Sequence, residues 1–146
     1  MRIAARRGLW LIFLVSSTAC AQTKEDHVSI CELANAGEQM NGSHVRVSVV
    51  YLTDLLETSV LKDPRCPSVH VAPNWKTSKD PSLEMFDEAL YARPDELKLT
   101  TYSIDVSGTF VWRASENPQG TLNFEKVWSF ERVCGDWKKA AVRTTK

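Results

Sequence analysis

Apolar and polar positions alternate most clearly between Thr100 and Arg113. Tyr102, Ile104, Val106, Gly108, Phe110 and Trp112 fall on one face, with Thr101, Ser103, Asp105, Ser107 and Thr109 on the other. A period of two predicts a strand with one buried face. The run is longer than the usual five or six residues, so Gly108 near its middle predicts a bend or bulge. Asn117-Pro118-Gln119-Gly120 supplies a turn, and Leu122 to Val133 returns as the last strand, with Leu122, Phe124, Trp128 and Phe130 on a shared face. Earlier, Val45, Val47, Val49 and Tyr51 alternate with Arg46, Ser48 and Val50, predicting another strand. Two shorter strands follow. Thr58 to Lys62 is closed by the Asp63-Pro64-Arg65-Cys66-Pro67 turn, and Ser68 to Ala72 places Val69 and Val71 on one face and His70 on the other.

Two helices interrupt the strands. Ser29 and Glu32 have the spacing of a capping box, in which each side chain satisfies the other's backbone amide. A short helix to about Ala36 would bury Ile30 and Leu33 and stop at Gly37, before an Asn41-Gly42 turn. Asp80-Pro81 is a cap followed by a proline at the first helical position. Leu83, Phe86 and Leu90 then mark the buried stripe of a helix ending by about Ala92, before Pro94. Ala72 to Lys79 reads as a linker-like loop.

The order is helix, three strands, helix, two long strands. That predicts a mainly β chain with two short helices, folded as a five-stranded OB-like barrel. A curved antiparallel α+β sheet is the alternative.

The first 21 residues change the picture of where this domain works. Arg2, Arg6 and Arg7 precede the apolar run Gly8–Val15 and the small residues Ser16–Ala21, the order of a bacterial export signal. The run is too short to cross a bilayer as a helix. Ser17-Thr18-Ala19-Cys20 fits a lipobox except at Ser17, and Ala19-Cys20-Ala21 equally fits cleavage before Gln22. Lipidation of Cys20 is the expectation adopted. The chain thus divides into a signal at 1–21, a tether at 22–28, the OB-like domain at 29–137 and a basic tail at 138–146. The expected location is the periplasm, or the outer membrane by a lipid anchor.

The 146-residue chain balances 18 basic against 18 acidic side chains, and removing the signal leaves a net charge of −3. Such a domain lacks the cationic surplus that holds phosphate backbones, so no nucleic acid is expected as a partner. Arg113 and Lys126 among aromatic residues are what a single-strand-binding or oligosaccharide-binding alternative would use. Cys31, Cys66 and Cys134 allow one disulfide and one free thiol in an oxidising compartment. Their spacing, with His27, His44 and His70 scattered, shows no metal-ligand cluster. No cofactor is expected.

No nucleophile elbow, zinc-protease motif or phosphate-binding glycine loop is present. Cys66 and His70 lie four residues apart, but Cys66 between turn residues suits a bridge better than catalysis. No catalytic residue is assigned, and an enzyme of unrecognised type is the lesser alternative. Trp75 and Trp137 lie outside the clear strand patterns and are candidate contacts for an unidentified protein or envelope component. Packing over an open barrel end is their structural alternative.

Cys31-Glu32-Leu33, Asn41-Gly42 and Val45-Arg46-Val47 resemble the C-[DE]-L helix, N-G turn and V-R-V strand of a family of small exported bacterial proteins whose function is uncharacterised. Leu61 to Pro67 is similar to that family's L-x-D-x-x-C segment, and Asp105 to Phe110 to its V-x-G-x-F strand. The resemblance implies an OB-like fold and pairing of Cys31 with Cys66, and nothing catalytic. Two positions depart from the pattern. Ser48 stands where a glycine is frequent, and Gln119-Gly120-Thr121-Leu122 lacks the histidine of the family's G-H-L-G turn.

Overall fold

The computed structural model describes residues 26–75, 78–92 and 99–140. It is mainly β, with strands β1 (Asp26–His27), β2 (His44–Thr53), β3 (Ser59–Lys62), β4 (Val71–Asn74), β5 (Thr100–Trp112) and β6 (Gly120–Arg132). Helix α1 (Ile30–Ala36) precedes β2, and α2 (Pro81–Tyr91) lies between β4 and β5. The export signal and Cys20 lie outside the described residues. Of the expected tether, residues 26–28 join the fold: β1 pairs in parallel with Val45 and Arg46, and Val28 packs on the core.

Five strands close on themselves in the order β2-β3-β4-β6-β5 and back to β2. The pairs are antiparallel except β4 with β6. Val45, Val47, Val49 and Tyr51 of β2 and Ile104, Val106 and Phe110 of β5 point into the ring, each at most 2% exposed. Burying side chains of this size stabilises the fold by roughly 1.5–3 kcal/mol apiece.

A helix caps each end of the ring. At the His44 end of β2, α1 sends in Ile30 and Leu33. The Ser29 hydroxyl accepts from the Glu32 amide (3.1 Å), and Glu32 accepts from the Ser29 amide (2.7 Å), completing the expected capping box. Gly37 ends the helix with φ +54° and sits under the indole of Trp112. At the Thr53 end, α2 places Phe86 edge-on against Tyr51 and Tyr102, and the Tyr102 hydroxyl donates to the Ala89 carbonyl (3.0 Å). Ser82 and Ser78 at the start of α2 cover the edge of β6: Ser82 Oγ accepts from the Val127 amide, and Ser78 Oγ donates to the Glu125 carbonyl.

Two strand expectations are corrected. The third strand is Val71–Asn74 rather than 68–72, because the turn runs on to Val69, whose amide bonds back to the Cys66 carbonyl. β4 therefore reaches into the stretch read as a linker. It tolerates Pro73, which has no amide to donate, because only Leu61–Val71 joins β4 to β3. The second correction concerns Trp128, which does not share the inner face with Leu122 and Phe124; it is 42% exposed. The register between β5 and β6 slips twice, between Ser107 and Gly108 and between Asp105 and Val106. The residues left over in β6 are Glu125 and Trp128. The first slip reverses the alternation and brings Val127 inward; the second restores it for Phe130 and leaves Trp128 outside.

Candidate functional site

The Thr53 end of the ring carries a groove of about 280 Å³, in which Leu55, Leu56, Pro73, Trp75, Leu90 and Tyr91 alternate with the polar Thr53, Glu57, Thr58 and Ser59. Its loop side is built by Asp54, whose Oδ1 accepts from the amides of Leu56, Glu57 and Thr58. These bonds to the ionised form hold the Asp54 carboxyl below the usual carboxylate range. The same loop holds Leu55 at φ +61° and lifts Leu56 into solvent, where it is 74% exposed. Across the groove Tyr91, the last residue of α2, is 55% exposed. Leu99, also exposed, precedes Thr100, the register partner of Thr53, and so belongs to this end too.

Beneath the groove, Tyr51 donates to Ser59 Oγ (3.0 Å), which also bonds Thr53 Oγ1 (2.9 Å). Burial pushes the Tyr51 phenol up to about 12. Trp75 packs over this end of the ring. Its ring stacks on Phe124 (5.6 Å, 21°) and stands 5.8 Å from Tyr51, while its remaining surface walls the groove.

A second aromatic position lies on the outer face of β2, β5 and β6. The Trp128 ring has Arg46 Cζ 4.2 Å and Lys126 Nζ 4.0 Å from its centroid, and its Nε1 donates to Ser107 Oγ (3.1 Å). Arg46 also grips Asp105 through two bonds of 3.0 and 2.7 Å, and His27 Nε2 reaches Ser48 Oγ (3.2 Å). These contacts set the orientation of the Trp128 ring. Alternation alone hid it, since the bulge that exposes it has no glycine in β6 to announce it.

Trp137, the other tryptophan singled out by sequence, lies in a 3-10 turn (Trp137–Lys139) whose N-cap Asp136 accepts from the Lys138 amide. Its ring stands 6.0 Å from Lys62 Nζ, so it is not a neighbour of Trp75 but part of a different surface. Arg113 and Lys126, paired in the single-strand-binding alternative, are not brought together. Arg113 bonds Glu116 (2.9 Å) in the β5–β6 loop, whereas Lys126 sits on Trp128.

Cys31 and Cys66 form a disulfide, with Cα atoms 5.8 Å apart, tying α1 to the β3–β4 turn. Asp63 lies beside the two sulfurs, and the three could form a metal-ligand group only with free thiols. The bond also removes Cys66 as a partner for His70 in nucleophilic chemistry. His70 is half-buried, its pKa lowered by desolvation and by the nearby Lys62 charge. His44 bonds Glu125 (3.1 Å) at the surface, and Cys134 is an exposed free thiol.

Comparison with known protein families, curated proteins and solved structures finds no match.

Proposed function

We propose that the chain is an exported, non-enzymatic binding domain of the bacterial envelope, built on an OB-like barrel and anchored through lipidated Cys20. The barrel is supported by the order in which the ring closes, its parallel β4–β6 pair and the helix between β4 and β5. The resemblance to small exported proteins points the same way. The lack of a free thiol at Cys66 favours a binding over a catalytic role.

The observation that carries the binding role is the groove at the Thr53 end, floored by core aromatics and rimmed by exposed Leu56 and Tyr91. Large exposed apolar side chains beside polar groups in one concave place mark a contact site. Its position suits a protein partner. β1 enters the fold at the His44 end of β2, roughly 30 Å along that ten-residue strand from the groove. A chain anchored at Cys20 would hold the His44 end near the membrane and turn the groove outward, toward a protein with a large apolar side chain to insert.

Two measurements test this. Intact mass of the native protein from the envelope fraction should show a chain beginning at acylated Cys20; a chain beginning at Met1 would refute export. A photoreactive side chain at position 57 should cross-link one protein in intact cells. That adduct should disappear in Leu56→Lys/Tyr91→Ser while Trp128→Ala retains it. An adduct indifferent to the groove pair would refute the site.

A further inference from the structure

Lys62 is 8% exposed, yet among the described residues no carboxylate pairs with it. Its ammonium donates to the Pro67 carbonyl (2.9 Å) and stands 6.0 Å from the centroid of the Trp137 ring. The neighbouring acid is not available: the Asp63 carboxylate lies beside the Cys31–Cys66 sulfurs and is bound by Arg65 through both oxygens. Lysines buried to this degree are normally paired, because a desolvated charge without a counter-ion is unfavourable. The Pro67 carbonyl needs a donor here, but among the described residues no carboxylate answers the charge. A methionine would fill the same volume.

Two further donors sit beside it. Leu61 and Val71 are antiparallel register partners and Val71 and Gly120 parallel ones, so Lys62, His70 and Gln119 stand side by side across the three chain segments. Gln119, from the β5–β6 loop, is fixed against His70: its amide donates to the His70 carbonyl (3.0 Å), and its Oε1 accepts from the His70 amide (3.3 Å). That geometry commits the oxygen of the Gln119 side chain and leaves its NH2 without a partner among the described residues. The turn carrying Pro67 and leading to His70 is pinned by the Cys31–Cys66 bond, so the donors are held in place before any ligand arrives.

We infer that Lys62, His70 and Gln119 form an oxyanion site, taking a phosphate or carboxylate group with Trp137 as its wall. The ligand's charge would supply the counter-ion Lys62 lacks, and its oxygens would accept from the ammonium, the imidazole N–H and the Gln119 amide. The site is separate from the groove at the Thr53 end and does not depend on its role.

The test uses the processed full-length protein with inorganic phosphate and, separately, acetate, at constant ionic strength in chloride. Resonances of the Gln119 side-chain amide and the His70 ring should shift saturably with at least one of the two. Phosphate alone would identify a phosphoryl ligand, acetate alone a carboxylate, and both a general oxyanion site. Lys62→Met should weaken that binding at least tenfold while keeping or raising Tm without anion. Gln119→Leu, which leaves the lysine in place, should weaken it several-fold and covers the case in which Lys62→Met does not fold. Failure of both anions to shift these resonances would overturn the site. So would saturable binding that survives whichever of the two variants folds.

Discussion

Asp63, with no exposure to solvent, is held by Arg65 two residues later, whose guanidinium and backbone amide together bond both carboxylate oxygens at 2.6–3.1 Å. The ion pair is lopsided, since the Arg65 side chain is 48% exposed. Removing the arginine therefore strands a buried carboxylate, whereas removing the acid merely frees a surface arginine. Arg65→Met should cost on the order of 2–4 kcal/mol in urea unfolding, and Asp63→Asn/Arg65→Met should recover part of it. A single-mutant cost below about 1 kcal/mol would class the pair with ordinary surface bridges.

Gly108 faces the first slip of β6. A Cβ there would lie 2.0 Å from the Asn123 carbonyl oxygen, which is backbone and cannot swing aside. Gly108→Ala should lower stability by about 3 kcal/mol or more, at the upper end for single changes, with thermal unfolding as the readout. Gly42→Ala has open space around its Cβ but keeps φ +77°, so it should cost only about 1 kcal/mol.

The disulfide joins residues 35 apart. Constraining a loop of that length in the unfolded chain is worth roughly 3–4 kcal/mol. Cys31→Ser/Cys66→Ser should lower the urea midpoint accordingly. In the native processed protein Cys134 should react rapidly with a maleimide, while Cys31 and Cys66 react only after reduction.

Stability should fall at both pH extremes for different groups. Glu32, Asp54 and Asp80 accept hydrogen bonds as carboxylates from Ser29, from the 56–58 amides and from Ser82 respectively, and all titrate below their ordinary values. Their contribution is present above about pH 4–5 and is lost as pH drops through the lowered folded values. Tyr51 runs the other way. Its buried neutral form is favoured up to about 12, so its contribution holds below pH 10 and vanishes between 10 and about 12. Ultraviolet difference titration should show a late phenolate that is absent in Tyr51→Phe; that phenolate appearing near pH 10 would contradict its burial.

The alternating strands β2 and β5, the capping box at Ser29 and the α2 stripe of Leu83, Phe86 and Leu90 were legible in the sequence because each is a local pattern. What escaped it depends on partners distant in the chain. Trp128 faces outward only because β5 runs two residues short against β6. β4 begins at Val71 only because Gly120 onward offers a parallel partner. Trp75 could be marked as unusual, but its stack on Phe124 depends on ring closure. Lys62 and Gln119 looked like ordinary polar surface residues until the β3–β4 turn and the β5–β6 loop were seen side by side.

The pair of surplus residues in β6 also decides how its length can vary. Excising Trp128 alone would leave Ser129 and Phe130 opposite Asp105 and Ile104, with the alternation from Val127 to Phe130 unbroken. Excising Glu125 alone would do the same between Phe124 and Val127. Each deletion closes one bulge and keeps the inward side chains on both sides of it in place, so this strand can shorten by one residue or by two without turning its core face outward.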